Sequence, residues 1–270
     1  MAGYGRATRQ GLRTWVVAVT HVAGRAVAGV NAGQAGLVFA GPGGLKRREP
    51  LERCWDVRFE YASPVRSFPS RRGQRHFPGL WWAATTSDHV GYESWLERDH
   101  VMMLDFDPAV VGFSSQPFQL LLDSAGERTL RHVPDFFVRR RDGTGVVIDV
   151  RPDDRIGPKD AAVFAATGRA CASVGWSYQR LGALDPVFAA NLRWLAGYRH
   201  PRCLRSDLAG RLLGVFAAPA PLLAGARAAG DPVAVLPVLF HLVWSGVLAA
   251  DLAGGLLGGS SVIVVAGGTS

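Results

Sequence analysis

HVPDFFVRRRDGTGVVIDVRP, residues 132–152, decides the fold. Two apolar runs, His132–Arg139 and Val146–Arg151, flank Asp142-Gly143-Thr144-Gly145, which is a hairpin signal. Side chains alternate along a strand, so Asp135, Phe137 and Arg139 share one face, and Val147, Asp149 and Arg151 another. Asp135 and Asp149 lie at equal distances from Asp142, so a hairpin centred there sets them opposite each other unless a bulge shifts the register. Aspartate is depleted from apolar strands, and two facing carboxylates repel. A hard divalent cation held by oxygens resolves that conflict. The alternative is a pair of solvent-facing acids at separate strand ends.

Working outward, Tyr92–Met103 has the spacing of a helix, and Val110–Phe113 and Phe118–Leu122 look like strands separated by Gln116-Pro117. Downstream, Pro158–Val174 suggests a helix, Trp176–Leu181 a short strand, and Pro186–Tyr198 a helix capped by Asp185. Strands followed by helix, strand and helix describe an α/β core with a mixed sheet. A third acid from the preceding helix, Glu97 or Glu93, can complete a set with the two aspartates. Leu204–Leu213 and Val233–Trp244 are helix-like, and Ser261–Ala266 has the composition of a further strand.

The 270 residues carry 30 basic and 22 acidic side chains, a net charge of +8 that favours an anionic partner. Residues 1–79 hold 13 cations and 4 anions, whereas residues 80–199 hold 13 and 15. All cations but Lys46 and Lys159 are arginine, which suits phosphate contacts and equally suits a GC-rich genome. Residues 1–53 form a low-complexity basic leader, expected to be poorly ordered. The uncharged run Thr14–Gly24 loosely resembles a signal peptide but lacks a clean cleavage site. Cys54, Cys171 and Cys203 are too dispersed for a disulfide framework or a structural zinc site, which fits a reduced, cytoplasmic chain. Pro232–Ala250 is long enough for a membrane span, but Pro237, His241, Ser245 and Gly246 favour a core helix, so no membrane partner is expected.

Glu97, Pro134-Asp135 and Asp149-Val150-Arg151 together resemble the PD-(D/E)xK nuclease pattern of a helix acid, Pro-Asp, and Asp-x-Lys. With Glu93-Ser-Trp-Leu-Glu97, Gln116-Pro-Phe and Val147-Ile-Asp-Val-Arg-Pro152, residues 54–255 look more specifically like the TnsA-like endonuclease subunit of heteromeric transposases. The resemblance implies a restriction-endonuclease-like mixed sheet flanked by helices over residues 54–200, entered by a basic N-terminal arm. It also implies a small winged-helix-like domain over residues 201–270, suited to protein contacts. By position, Glu97, Asp135 and Asp149 would hold Mg²⁺, with Mn²⁺ as a substitute, and Glu93 is the rival helix acid. Arg151 stands where the family usually has lysine; it can stabilise phosphate charge but cannot act as a base. The implied partners are transposon-end DNA, a DDE-type transposase subunit (TnsB-like) and an AAA+ ATPase regulator (TnsC-like). Two further readings are an assembly subunit weakened at Arg151 and a restriction or repair nuclease of the same fold. For DNA contact the candidates are Arg66, Arg71, Arg72, Arg75 and His76, set among aromatics, and Arg139, Arg140 and Arg141 at the hairpin tip. His100 and His132 do not fit the motif and read as structural.

Overall fold

The structure, a computed structural model, describes residues 35–41, 44–67, 77–122 and 129–267. In chain order the elements begin with β1 (Gly36–Ala40), β2 (Lys46–Pro50), β3 (Gly79–Ala83), β4 (Asp88–Tyr92) and α1 (Trp95–Phe106). There follow β5 (Val110–Ser115), β6 (Phe118–Leu122), β7 (Leu130–His132), β8 (Phe136–Arg140) and β9 (Gly145–Val150). Next are α2 (Pro158–Ser173), β10 (Ser177–Leu181) and α3 (Pro186–Leu195). The chain continues through α4 (Ser206–Val215), β11 (Ala220–Pro221), α5 (Leu222–Ala229), α6 (Pro232–Trp244), β12 (Leu248–Ala250) and β13 (Val262–Val265). The fold is mixed α/β.

One sheet has the order β5-β8-β9-β10, in which β9 and β10 run parallel and the other pairs antiparallel. A second has the order β2-β1-β6-β7 and is antiparallel throughout. The alternation of the β8–β9 hairpin divides the apolar interior in two. Phe136, Val138, Val146 and Ile148 enter a core with α1 and α3 that continues into α4 and α6 through Leu208, Leu212, Val235 and Leu239. Phe137 and Val147 face the other way, into a core with Leu37, Phe39, Phe59, Phe118 and Trp176. Residue parity within one hairpin thus assigns side chains to both layers.

Two strand transitions position the site. Between β5 and β6 the chain leaves the first sheet for the second at Gln116-Pro117, and between β7 and β8 it returns at Pro134-Asp135. Proline has no N–H to give a ladder, so each prolyl residue marks a break in pairing. The two breaks lie side by side, because Gln116 N–H donates to Asp135 O at 2.9 Å. The single strand expected over His132–Arg139 is therefore two strands in different sheets.

Other boundaries also shift for local reasons. Helix α1 starts at Trp95 rather than Tyr92: Ser94 Oγ accepts from Glu97 N at 3.2 Å, and Glu97 Oε2 accepts from Glu93 N at 2.8 Å, forming a capping box. Asp185 caps α3 as expected, accepting from the N–H groups of Val187 and Phe188 at 2.9 Å. The leader is corrected in part. Gly36–Ala40 pairs with β6 and buries Leu37 and Phe39, so residues 36–40 and 46–50 belong to the sheet; residues 1–34 lie outside the described residues.

After α3 the element order is α4, β11, α5, α6, β12, β13, with a small sheet in the order β11-β13-β12. Among the described residues no single helix is long and apolar enough to cross a membrane, and α5 and α6 meet at 119°. Helix α6 stops at Trp244, and Gly246, at φ 70°, takes the left-handed conformation that ends it.

Phe59 is fully buried, with its ring 4.8–5.8 Å from the rings of Phe39, Phe118, Phe137 and Trp176. Phe59→Ala is expected to cost about 3–5 kcal/mol, the range for truncating a packed core aromatic. Urea denaturation checks this, and a loss below about 1 kcal/mol would show that β1 and β6 are not held through this ring.

Candidate functional site

The register of β8 on β9 pairs Phe136 with Ile148 and Phe137 with Val147, which continues to Asp135 opposite Asp149. The arithmetic centred on Asp142 therefore holds. Val150 N–H donates to Asp135 Oδ2 at 2.7 Å across the same strands. Extending the β5–β8 register sets Gln116 beside Asp135, and β10 sets Arg180 beside Asp149. Gln116, Asp135, Asp149 and Arg180 thus form one row across the sheet.

Asp149 is buried and takes hydrogen bonds from two side chains. His132 Nε2 contacts Oδ1 at 3.0 Å and Oδ2 at 2.8 Å, and Tyr178 O–H donates to Oδ2 at 2.7 Å. Burial, and then the charge of Asp149, raise the Tyr178 hydroxyl pKa, so it remains a donor. Burial likewise raises the Asp135 pKa well above the usual carboxylate range, with Asp149 and Glu97 adding repulsion against the Val150 N–H. Among the described residues no lysine or arginine ion-pairs with either aspartate. The acids are brought together without a fixed compensating cation.

The remaining expected site residues are placed differently. Both Glu97 oxygens serve the start of α1, Oε1 accepting from Ser94 Oγ at 2.9 Å and Oε2 from Glu93 N. Burial still raises the Glu97 pKa. The rival acid Glu93 accepts from Arg66 Nη2 at 2.8 Å. Arg151 is half-exposed and donates to Asp160 Oδ1 at 3.0 Å, at the first turn of α2. Among the described residues no three His, Cys, Asp or Glu side chains converge in a metal-holding group.

The hairpin-tip arginines expected as DNA contacts have partners within the protein. Arg139 is turned inward: Nε reaches Glu60 Oε2 at 3.4 Å, Nη1 donates to Gly143 O at 2.9 Å, and Nη2 donates to Val57 O at 3.2 Å. Glu60 is buried and also binds Arg58, so Arg139 neutralises a core acid. Arg140 lies 3.8 Å from Asp107, and Arg141 donates to Pro108 O at 3.0 Å. The tip also stands at the far end of β8 and β9, roughly 15–20 Å from the aspartates at about 3.3 Å per residue. Arg66 pairs with Glu93 close to α1, whereas Arg71, Arg72, Arg75 and His76 lie outside the described residues.

His100, read as structural, is buried on α1 and bonds Gly182 O at 2.7 Å. His132, also read as structural, is a site residue through Asp149. Its position three residues before Asp135 was the available signal. Tyr178 gave none, because the neighbours of β10 become known only once the sheet is assembled.

Asp135 holds its proton to higher pH in the folded protein than in the unfolded chain. Its contribution is therefore complete in acid and is lost as pH rises through the folded pKa. Asp135→Asn keeps an acceptor for Val150 N–H and cannot ionise. In metal-free buffer at pH 8 the variant should melt higher than wild type, by about 2–4 °C per kcal/mol relieved, with the gap closing toward about pH 4. A lower melting temperature at pH 8 would show that Asp135 is not strained by its neighbours.

Compared with known proteins, the chain matches no family model, and no curated protein matches its sequence.

Proposed function

We propose that the protein is a Mg²⁺-dependent DNA endonuclease subunit of a heteromeric transposase, cutting the non-transferred strands at transposon ends. The observation that carries this reading is the opposition of Asp135 and Asp149 across β8 and β9, half-buried and buried respectively beside the double sheet crossing, where among the described residues His132 is the one basic side chain bonded to either. The order α1-β5-β8-β9-α2-β10 within the first sheet and its helices, with β10 parallel to β9, supports the same reading. The order α4-β11-α5-α6-β12-β13 likewise supports a winged-helix-like unit after residue 200. Its only cations are Arg202, Arg205, Arg211 and Arg227, which favours protein contact over base readout.

The donor set fits a hard cation: two carboxylates face each other, and burial, with the repulsion of Asp149 and Glu97, raises the Asp135 pKa in a way that a cation between them would offset. Asp135 and Asp149 would hold the ion, and Glu97 could join them only by leaving the capping box. When bound, Mg²⁺ supplies an activated water and neutralises charge on the leaving oxygen. The chain's own groups do the positioning. Val150 N–H fixes Asp135 Oδ2, while His132 and Tyr178 fix the Asp149 carboxylate. Arg151 would turn from Asp160 toward a phosphate oxygen and stabilise its charge, with no proton to accept.

A second reading is a DNA-binding assembly subunit with weakened turnover. The observation favouring it is the outward pairing of Arg151 with Asp160. Cleavage of transposon-end DNA by the full chain, with its DDE transposase and AAA+ ATPase partners and Mg²⁺, separates the two. Asp135→Ala and Asp149→Ala should each lower cleavage at least about 100-fold, as for loss of a metal ligand, while assembly persists. Equal cleavage by wild type and Asp135→Ala would contradict the site. Assembly without cleavage even by wild type would favour the second reading, and cleavage without the transposase would point to a restriction or repair nuclease.

A further inference from the structure

Gln116 is a costly residue for its position. It is 1% exposed, yet among the described residues neither its carboxamide Oε1 nor its Nε2 has a hydrogen-bond partner. Buried amides are normally paired, and an orphaned one signals a group that the protein alone does not supply. Its backbone is unfavourable as well: φ is 47°, in the left-handed region that non-glycine residues seldom enter. Glycine or asparagine would relieve the backbone, and leucine would relieve the burial. By contrast, the preceding buried hydroxyl of Ser114 has a partner, donating to Phe59 O at 2.6 Å.

The location gives the orphan amide its meaning. Gln116 sits at the first sheet crossing, and its N–H is bonded to Asp135 O, while its carbonyl accepts from Val65 N at 2.9 Å. It is the neighbour of Asp135 in the row that continues to Asp149. The resemblance assigns the third oxygen of this site to Glu97, but both Glu97 oxygens are committed to the start of α1. Among the described residues no third His, Cys, Asp or Glu completes a metal-holding group with the pair; His132 reaches Asp149 as a hydrogen-bond partner. A carboxamide oxygen is a hard donor of the kind that Mg²⁺, Mn²⁺ and Ca²⁺ accept.

We propose that Gln116 supplies the third protein oxygen, through its carboxamide, to the coordination sphere of a divalent cation held by Asp135 and Asp149. This rests on the reading of the aspartate pair as a metal site. That contact would give the orphaned amide a partner. In metal-free protein Gln116 is a burden, and in metal-loaded protein it is a ligand.

Calorimetric titration of the full chain with Mn²⁺, alongside thermal melts with and without the ion, tests this. Gln116→Leu should weaken Mn²⁺ binding at least about tenfold and yet melt higher than wild type without metal, because the orphan amide is gone. Glu97→Gln should cost less affinity than Gln116→Leu. Wild-type affinity in Gln116→Leu, or a larger loss in Glu97→Gln, would overturn the proposal while leaving the aspartate pair intact. Should Gln116→Leu fail to fold, Gln116→Glu decides: a carboxylate in the coordination sphere tightens Mn²⁺ binding, and unchanged or weaker binding overturns the proposal. If wild type takes up no Mn²⁺, or Asp135→Asn binds as wild type does, the reading of the acid pair fails and the proposal falls with it.

Discussion

Two carboxylates held opposite each other on adjacent strands, one buried and one half-buried, are the constraint around which this molecule is organised. Like charges at cross-strand positions destabilise a sheet, and burial sharpens the penalty. The hairpin centred on Asp142 nevertheless fixes Asp135 against Asp149, and the neighbouring groups make their meeting tolerable. Val150 N–H, His132 and Tyr178 each give a hydrogen bond to one of the two acids. None of the three provides a permanent positive charge. A cation held between the two acids, as proposed above, would offset their repulsion.

The crossing of strands between sheets explains why the pair lies where it does. Strands β5 and β6 belong to different sheets, as do β7 and β8, and both changes use an X-Pro step. Regular pairing is interrupted there, which frees side chains from the alternating packing that would otherwise fill the space with apolar groups. Gln116 and Asp135 occupy these interruptions and are tied by one backbone hydrogen bond. The cores around Phe59 and around Val138 pack on either side of the sheet that carries the crossing. A site resting on two packed layers keeps its geometry better than one carried on a loop.

The parts of the site legible in the sequence are those fixed by short-range geometry. Hairpin symmetry about Asp142 is a local property, so the opposition of Asp135 and Asp149 can be read from the chain alone. The cap on α3 and the strand Phe118–Leu122 are local in the same sense. What was not legible depends on partners distant in sequence. Arg139 looks like a free cation at a hairpin tip until Glu60, 79 residues away, is placed beside it. Tyr178 enters only because β10 joins the sheet next to β9. Gly36–Ala40 reads as part of a low-complexity leader, because nothing nearby shows that β6 will pair with it. His132 and Glu97 show a different difficulty. Their residue types suit several roles, and only their hydrogen bonds assign His132 to Asp149 and Glu97 to a capping box.

The carboxyl carbon of Asp135, followed by carbon-13 NMR through a pH titration with and without Mg²⁺, probes the constraint most directly. Without metal its midpoint should lie well above that of an ordinary aspartate, near 3.9. Addition of Mg²⁺ at neutral pH should move the resonance to its ionised position, since a bound cation removes the repulsion. An Asp135 that titrates like a solvent-exposed aspartate and ignores Mg²⁺ would contradict a cation site built on this pair.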